Sequence, residues 1–417
     1  MEARRRGISS FGLLGTVLII ALLLLPLVGL RPTTAAAASP GITVLQSTAK
    51  NDFPTSLTFA VQATSPATIT SVRLIYQVGA DPVISIADAK FVPSAKVTAS
   101  YQIDLNREYY PPGATVRYRW QIEDQSSAKL LSDWKSLAIS DPRFTWQSQT
   151  AGPITLHWYD GNGQFATALL QAATQAVTAA NFDVNAPGIK PVQIWIYAQQ
   201  NDFRSALGSG AEQWVGGQTL PNYRVILLFA PSNDIPDDQR SVAHEMTHIL
   251  LDSSANDPFG QLPIWLDEGV AVVAEGAPDP AFQQALAAAA QSHQLLSIQA
   301  ISGNFPSSTN EATLAYAESQ DIVRYFIDTY GSQKLSALIA AFRAGDTSDA
   351  AFQQSIQLST LAFQNAWEAH LHVTPASQPA RAAQSPLVTV ISAPGRLIAT
   401  VIETFAQLFQ ATKGKAA

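Results

Sequence analysis

The chain of 417 residues contains six histidines, and two of them fall four positions apart in Ser241–Leu251, SVAHEMTHILL. At that spacing His244 and His248 share one face of a helix, so both imidazoles can reach a single ion. Glu245 is one step round the helix from His244, where its carboxylate can reach a water beside the ion rather than the ion itself. Cysteine is absent, which excludes thiolate ligation, iron–sulfur clusters, disulfides and a catalytic thiol. Any metal here is therefore held by nitrogen and oxygen, and catalytic zinc takes three protein ligands with one position left open.

The third ligand has two candidates. Leu262–Ala271 reads LPIWLDEGVA and places Asp267 beside Glu268. Adjacent helical residues point about 100° apart, so only one of the pair faces the histidines. Residue type favours the longer Glu268 and leaves Asp267 as the alternative. The other histidines read as structural: His157 in a strand, His293 on a helix surface, His370 and His372 at a helix end.

These residues need a scaffold. Val242, Ile249 and Leu250 give the HExxH segment the apolar positions of a buried helix, and Pro236, Asp237 and Asp238 supply its start. Before it, Ile154–Tyr159, Val192–Tyr197 and Arg224–Phe229 read as strands, the first two flanking an Ala/Gln-rich helix over Phe165–Ala180; Gly216 and Gly217 fall in the loop before the third. The segments after Asp234 read mainly as helical. A small sheet followed by helices predicts an α+β domain over 151–373. Residues 40–150 instead alternate with period two, in SLTFAV (Ser56–Val61), TITSVRLIYQV (Thr68–Val78) and ATVRYRWQI (Ala114–Ile122), and predict an all-β sandwich of the immunoglobulin or fibronectin kind. Trp120, Trp134 and Trp146 read as core and sheet residues of that region.

The termini address the chain to a membrane. Arg4, Arg5 and Arg6 precede an uncharged run from Phe11 to Leu30, and Ala35–Ser39 offers small-residue cleavage sites; residues 1–39 are expected to be a signal peptide or an N-terminal membrane anchor. Either places the bulk of the chain outside the cytoplasmic membrane, as a surface-anchored or secreted protein. Residues 374–386 read as a linker. Within 387–417, Leu397, Val401, Phe405 and Leu408 follow helical spacing and predict an amphipathic helix able to meet a membrane, the protein itself or a partner. A net charge of −7 leaves no basic surplus to neutralise phosphates, so no nucleic-acid partner is expected.

HEMTH followed by WLDEGVA resembles the gluzincin metallopeptidases, most closely the bacterial peptidase MA-like domains. The resemblance implies a zincin-like catalytic fold, Zn²⁺ as cofactor and peptide or protein as substrate. It further implies His244, His248 and Glu268 as metal ligands and Glu245 as the general base acting on a zinc-activated water. Nineteen residues, Ile249 to Asp267, separate the second His from Glu268, one more than the related aminopeptidases usually have, and strict spacing would give the role to Asp267. AYAESQDIVRYF (Ala315–Phe326) is similar to the aminopeptidase helix that opens on a catalytic tyrosine, which makes Tyr316 the oxyanion donor and Tyr325 a packing residue. The aminopeptidase motif for recognising a free amine is missing, and Arg224–Ala230 is the strand available to pair with an extended peptide. Val272 stands where thermolysin-like enzymes carry an acid, and Glu275 is a candidate partner for a metal ligand. The expectation is an exported zinc metallopeptidase; the competing one is a catalytically silent surface scaffold whose working part is the sandwich.

Overall fold

The computed structural model describes residues 41–79, 83–183, 190–208, 216–253, 262–306 and 308–373. The expected export segment, the linker and the C-terminal amphipathic helix lie outside these residues. Among the described residues no helix is long and apolar enough to cross a membrane.

Strands β1 (Thr43–Asp52), β2 (Ser56–Val78), β3 (Ser85–Asp88), β4 (Ser94–Asp104), β5 (Thr115–Asp124), β6 (Lys129–Leu131) and β7 (Lys135–Ala138) form one seven-stranded antiparallel sheet. Its spine is β2, which runs for 23 residues and contains both SLTFAV and TITSVRLIYQV. Its first half pairs with β1 and β4, its second with β3 and β5. Between the halves the register shifts, from Thr64 to Ile69 and again by Ser71, and Pro66 sits exposed in that break. Proline cannot donate to a ladder, so a bulge is where a strand tolerates it.

The sheet folds on itself there. Phe59 from the first half meets Tyr118 of β5 edge to face, with ring centroids 4.8 Å apart, and Leu57, Val61, Leu74, Val116, Trp120 and Ile122 join them in one core. Ser65 Oγ donates to Asp124 Oδ2 at 2.5 Å and ties the bend to the end of β5. The all-β region is thus a single sheet doubled about one long strand, because β2 belongs to both layers. Of the tryptophans, Trp120 is fully buried. Trp134 instead lies under the guanidinium groups of Arg117 and Arg119.

The next elements are β8 (Gln147–Ala151), β9 (Ile154–Trp158), α1 (Gly163–Asp183), β10 (Val192–Tyr197), α2 (Gln200–Ala206), β11 (Gly217–Leu220) and β12 (Val225–Phe229). They build a second sheet in the order β11-β12-β10-β9-β8. Its centre is parallel, with β11 and β8 antiparallel at the two edges. The β8–β9 hairpin straddles residue 151, so the second sheet begins at Gln147.

Both faces of this sheet are covered, which is why VILLF is an unbroken apolar run and VQIWIY is broken only by Gln193. Alternate side chains part company: Ile194, Ile196, Ile226 and Leu228 point into a core shared with helices. Trp195, Tyr197, Val225 and Leu227 point into the core of the folded β-sheet. Ring and backbone contacts reinforce that second face. Tyr109 Oη donates to Ala206 O at 2.6 Å, and Tyr197 Oη to Asp141 Oδ2 at 3.0 Å. Gly113 rests against Trp195 and Val225, where a Cβ would come within 2.7 Å of Trp195 Nε1.

On the opposite face lie α3 (Ile235–Ser253), α4 (Ile264–Ala274), α5 (Pro280–Ser292), α6 (Ala300–Gly303), α7 (Thr309–Tyr330), α8 (Ser332–Arg343), α9 (Ser348–Ile356) and α10 (Thr360–His370). This is the expected α+β arrangement of a small sheet with a helical C-terminal part. Helix α3 is sandwiched between α1, α4 and the β11–β12 edge. Gly269 lets α4 close on α7, since a Cβ there would stand 2.5 Å from Ser319 O.

Candidate metal centre

Helices α3 and α4 bring the two motifs together. His244, His248 and Glu268 are 1%, 2% and 4% exposed, and among the described residues they form the one group able to offer three ligand atoms to a common ion. His244 Nε2 and His248 Nε2 are 3.2 Å apart. Glu268 Oε2 lies 3.4 Å from the first and 3.7 Å from the second. Ligands about 2.0–2.1 Å from a tetrahedral zinc are separated by roughly 3.3–3.4 Å, because the tetrahedron's edge is about 1.63 times its radius. The observed triangle has that size. Glu268 Oε2 is also buried without a hydrogen bond, a costly state for a carboxylate oxygen unless a cation meets it. The residues present therefore fit a zinc ion.

Asp267 points elsewhere. Its Oδ1 stands 3.4 Å from His248 Nδ1, behind the imidazole, while Glu268 faces the Nε2 atoms. The register of α4 against α3 puts Glu268 Oε2, and not Asp267, beside both Nε2 atoms. Glu275, at the C-terminal end of α4, places Oε1 2.8 Å from His244 Nδ1 and accepts from Arg240 through Oε2 at 3.1 Å. Glu275 thus fixes the His244 ring and turns its Nε2 towards His248 and Glu268, whereas His248 Nδ1 is buried without a hydrogen bond. Burial pulls His244 towards neutrality, but Glu268 and Glu275 outweigh it and hold the imidazole well above its usual pKa. A bound cation would relieve that crowding of acids. Glu275→Gln should weaken zinc affinity about 10–100-fold, read by competition with a chromophoric chelator; an unchanged affinity would leave Glu275 without a part in the site.

Glu245 is fully buried. Its carboxylate meets β11, the edge strand: Thr219 Oγ1 donates to Glu245 Oε2 at 2.5 Å. Gly217 lies against the other oxygen, where a Cβ would overlap Oε1 and approach Cδ to 2.8 Å. Sequence reasoning placed the peptide-pairing edge on Arg224–Ala230, and the structure corrects this. That strand is interior, flanked by β10 and β11, because GQTL folds back to pair with it. Gly216-Gly217 is the signal the sequence offers for that turn back.

Tyr316, on α7, is 5% exposed and packs with Val272 of α4. Phe305 meets its ring edge-on at 4.9 Å. Burial first, then the carboxylates of Glu268 and Glu245, push its hydroxyl well above the ordinary tyrosine value, so it remains a proton-bearing donor. Tyr325 sits in an aromatic cluster with Phe363 and Tyr330, a packing position. His157 is held in the sheet, its Nε2 2.7 Å from Gln193 Oε1 and its ring stacked on Trp195.

Comparisons with known proteins can now be set beside this geometry. No curated protein matches the chain significantly. Among solved structures, an M1 zinc metallopeptidase from Deinococcus radiodurans is similar at 12% identity, covering 78% of this chain and 92% of that one with a TM-score of 0.32. A family 56 carbohydrate-binding module, a β-1,3-glucan binding domain, is similar at 12% identity over 24% of this chain and 99% of its own, with a TM-score of 0.16. Likenesses at such scores carry no argument about this chain. The family model of the Peptidase MA superfamily matches residues 172–373, a span that holds the HExxH helix, Glu268, Glu275 and Tyr316. That segment belongs to the Peptidase MA superfamily and is a gluzincin, peptidase MA-like domain.

Proposed function

We propose that this protein is a zinc-dependent metallopeptidase. The observation that carries the reading is the buried triangle of His244 Nε2, His248 Nε2 and Glu268 Oε2, sized for tetrahedral zinc. Bound there, zinc would polarise a scissile carbonyl and bring a water's pKa towards neutrality. The protein's own groups do the rest. Glu245, within the same helix turn, takes the proton from the attacking water and returns it to the departing amine. Tyr316 donates its hydroxyl to the oxyanion that develops on the carbonyl. Strand β11 has one edge paired with β12 and is the sheet edge nearest Glu245, so it is the strand on which an extended peptide would lie.

An exported location belongs to the same proposal and rests on Arg4–Arg6 and the apolar run after them. The silent-scaffold alternative is less favoured. It requires an unused HExxH to keep its ligands, its Nδ1 carboxylate and a buried tyrosine in register. His244→Ala tests the metal assignment directly. Elemental analysis should find about one zinc per chain in the parent protein and a small fraction of that in the variant. Equal zinc in both would remove the basis of the proposal.

A further inference from the structure

The hydroxyl on β11 has a consequence for the base. Thr219 and Glu245 are both fully buried, so their 2.5 Å contact is formed away from water. A hydroxyl donating to a carboxylate at that range is charge-assisted and roughly twice as strong as a neutral pair. Thr219 Oγ1 also lies 3.1 Å from the backbone oxygen of Glu245, but one hydroxyl has one proton, and the shorter, anionic acceptor takes it. Two positions back on the same face of the strand, Gly217 leaves room for Oε1 and nothing more. The carboxylate is held from one side by a donor and from the other by bare backbone.

We propose that Thr219 is a positioning residue for the general base. Its hydroxyl ties down Oε2 and so fixes the carboxylate that receives and returns the proton. This rests on the peptidase reading of Glu245. The proton balance is simple: it leaves water for the Glu245 carboxylate as the oxygen–carbonyl bond forms, and leaves that carboxyl group for the amine nitrogen as the peptide bond breaks. The Thr219 proton stays on Thr219 throughout. Threonine suits the task because its branched Cβ stiffens χ1 in a strand, which fixes the direction of Oγ1.

The test compares Thr219→Val, which keeps the shape and removes the donor, with Thr219→Ser, which keeps the donor. On one peptide cleaved from a fluorogenic library, kcat for the Val variant should fall about 10–100-fold, the range lost when a buried acceptor is left unpaired. KM and bound zinc should be unchanged, and Ser should recover kcat to within about threefold of the parent on the same scale. A second readout needs no turnover: the side-chain carboxyl ¹³C resonance that disappears in Glu245→Gln should shift in Thr219→Val and return in Thr219→Ser. Full kcat in Thr219→Val beside an inactive Glu245→Gln overturns the positioning role alone. An equal loss in Ser and Val, or an unmoved ¹³C resonance, also overturns it. An active Glu245→Gln instead overturns the reading of the base beneath it.

Discussion

Glu245→Gln is expected to keep its zinc and lose its turnover. The substitution preserves the volume of a fully buried side chain and leaves the three ligand atoms untouched, so metal content should match the parent protein. The amide cannot take a proton at neutral pH. General-base catalysis contributes about 10²–10⁴-fold, and kcat/KM should fall by at least that much. The rearranged hydrogen bonds are small by comparison. Thr219 can still donate to the amide oxygen if that oxygen takes the place of Oε2, and the amide nitrogen then faces the Gly217 side. Unchanged cleavage by a zinc-loaded Glu245→Gln would mean that another group moves the proton.

The second large effect concerns the β-sheet region, which stands as a buttress of the second sheet. A fragment of residues 147–373 retains every candidate site residue, yet it should not fold. Removing residues 41–146 would strip most of the cover from one face of the second sheet, leaving only α2 over it; that face includes Trp195, Tyr197, Leu220, Val225 and Leu227, all at most 4% exposed in the intact chain. At about 1.5–3 kcal/mol for each fully buried large apolar side chain, the loss is on the order of 10 kcal/mol. A whole domain is typically stable by only about 5–15 kcal/mol. Hydrogen bonds from Tyr109 to Ala206 and between Tyr197 and Asp141 would go as well. Circular dichroism should show no cooperative melt for residues 147–373, and a clear one for residues 40–373. A fragment that melts cooperatively within a few degrees of the longer chain would show the two regions to be independent. It would also return the sandwich to the status of a separable module.

That dependence was not legible in the sequence. VQIWIY and VILLF advertise strands buried on both faces, but a run of apolar residues does not say what covers the second face. The proposed metal ligands were far more legible, because HExxH spacing and helical geometry place both imidazoles together without knowledge of the fold. Whether Asp267 or Glu268 stands beside the histidine Nε2 atoms lay outside local information, because it depends on how α4 is rotated against α3. In the β region, the polar run and Pro66 between SLTFAV and TITSVRLIYQV had the chemistry of a turn. They form a bulge instead, because the strand continues into the second layer of the same sheet. Strand β11 is hidden in the sequence for the opposite reason. GQTL is short and carries glycine beside polar residues, so its strand character comes from pairing with β12 and from the carboxylate it shelters.

The central claim is zinc-dependent peptide hydrolysis, and the most direct measurement is cleavage of a diverse fluorogenic peptide library by the zinc-loaded protein. Cleavage should stop when a chelator removes the metal, return with about one equivalent of Zn²⁺, and be missing from Glu245→Gln treated in the same way. Cleavage that persists without metal, or no cleavage by a protein carrying a full equivalent of zinc, would contradict it.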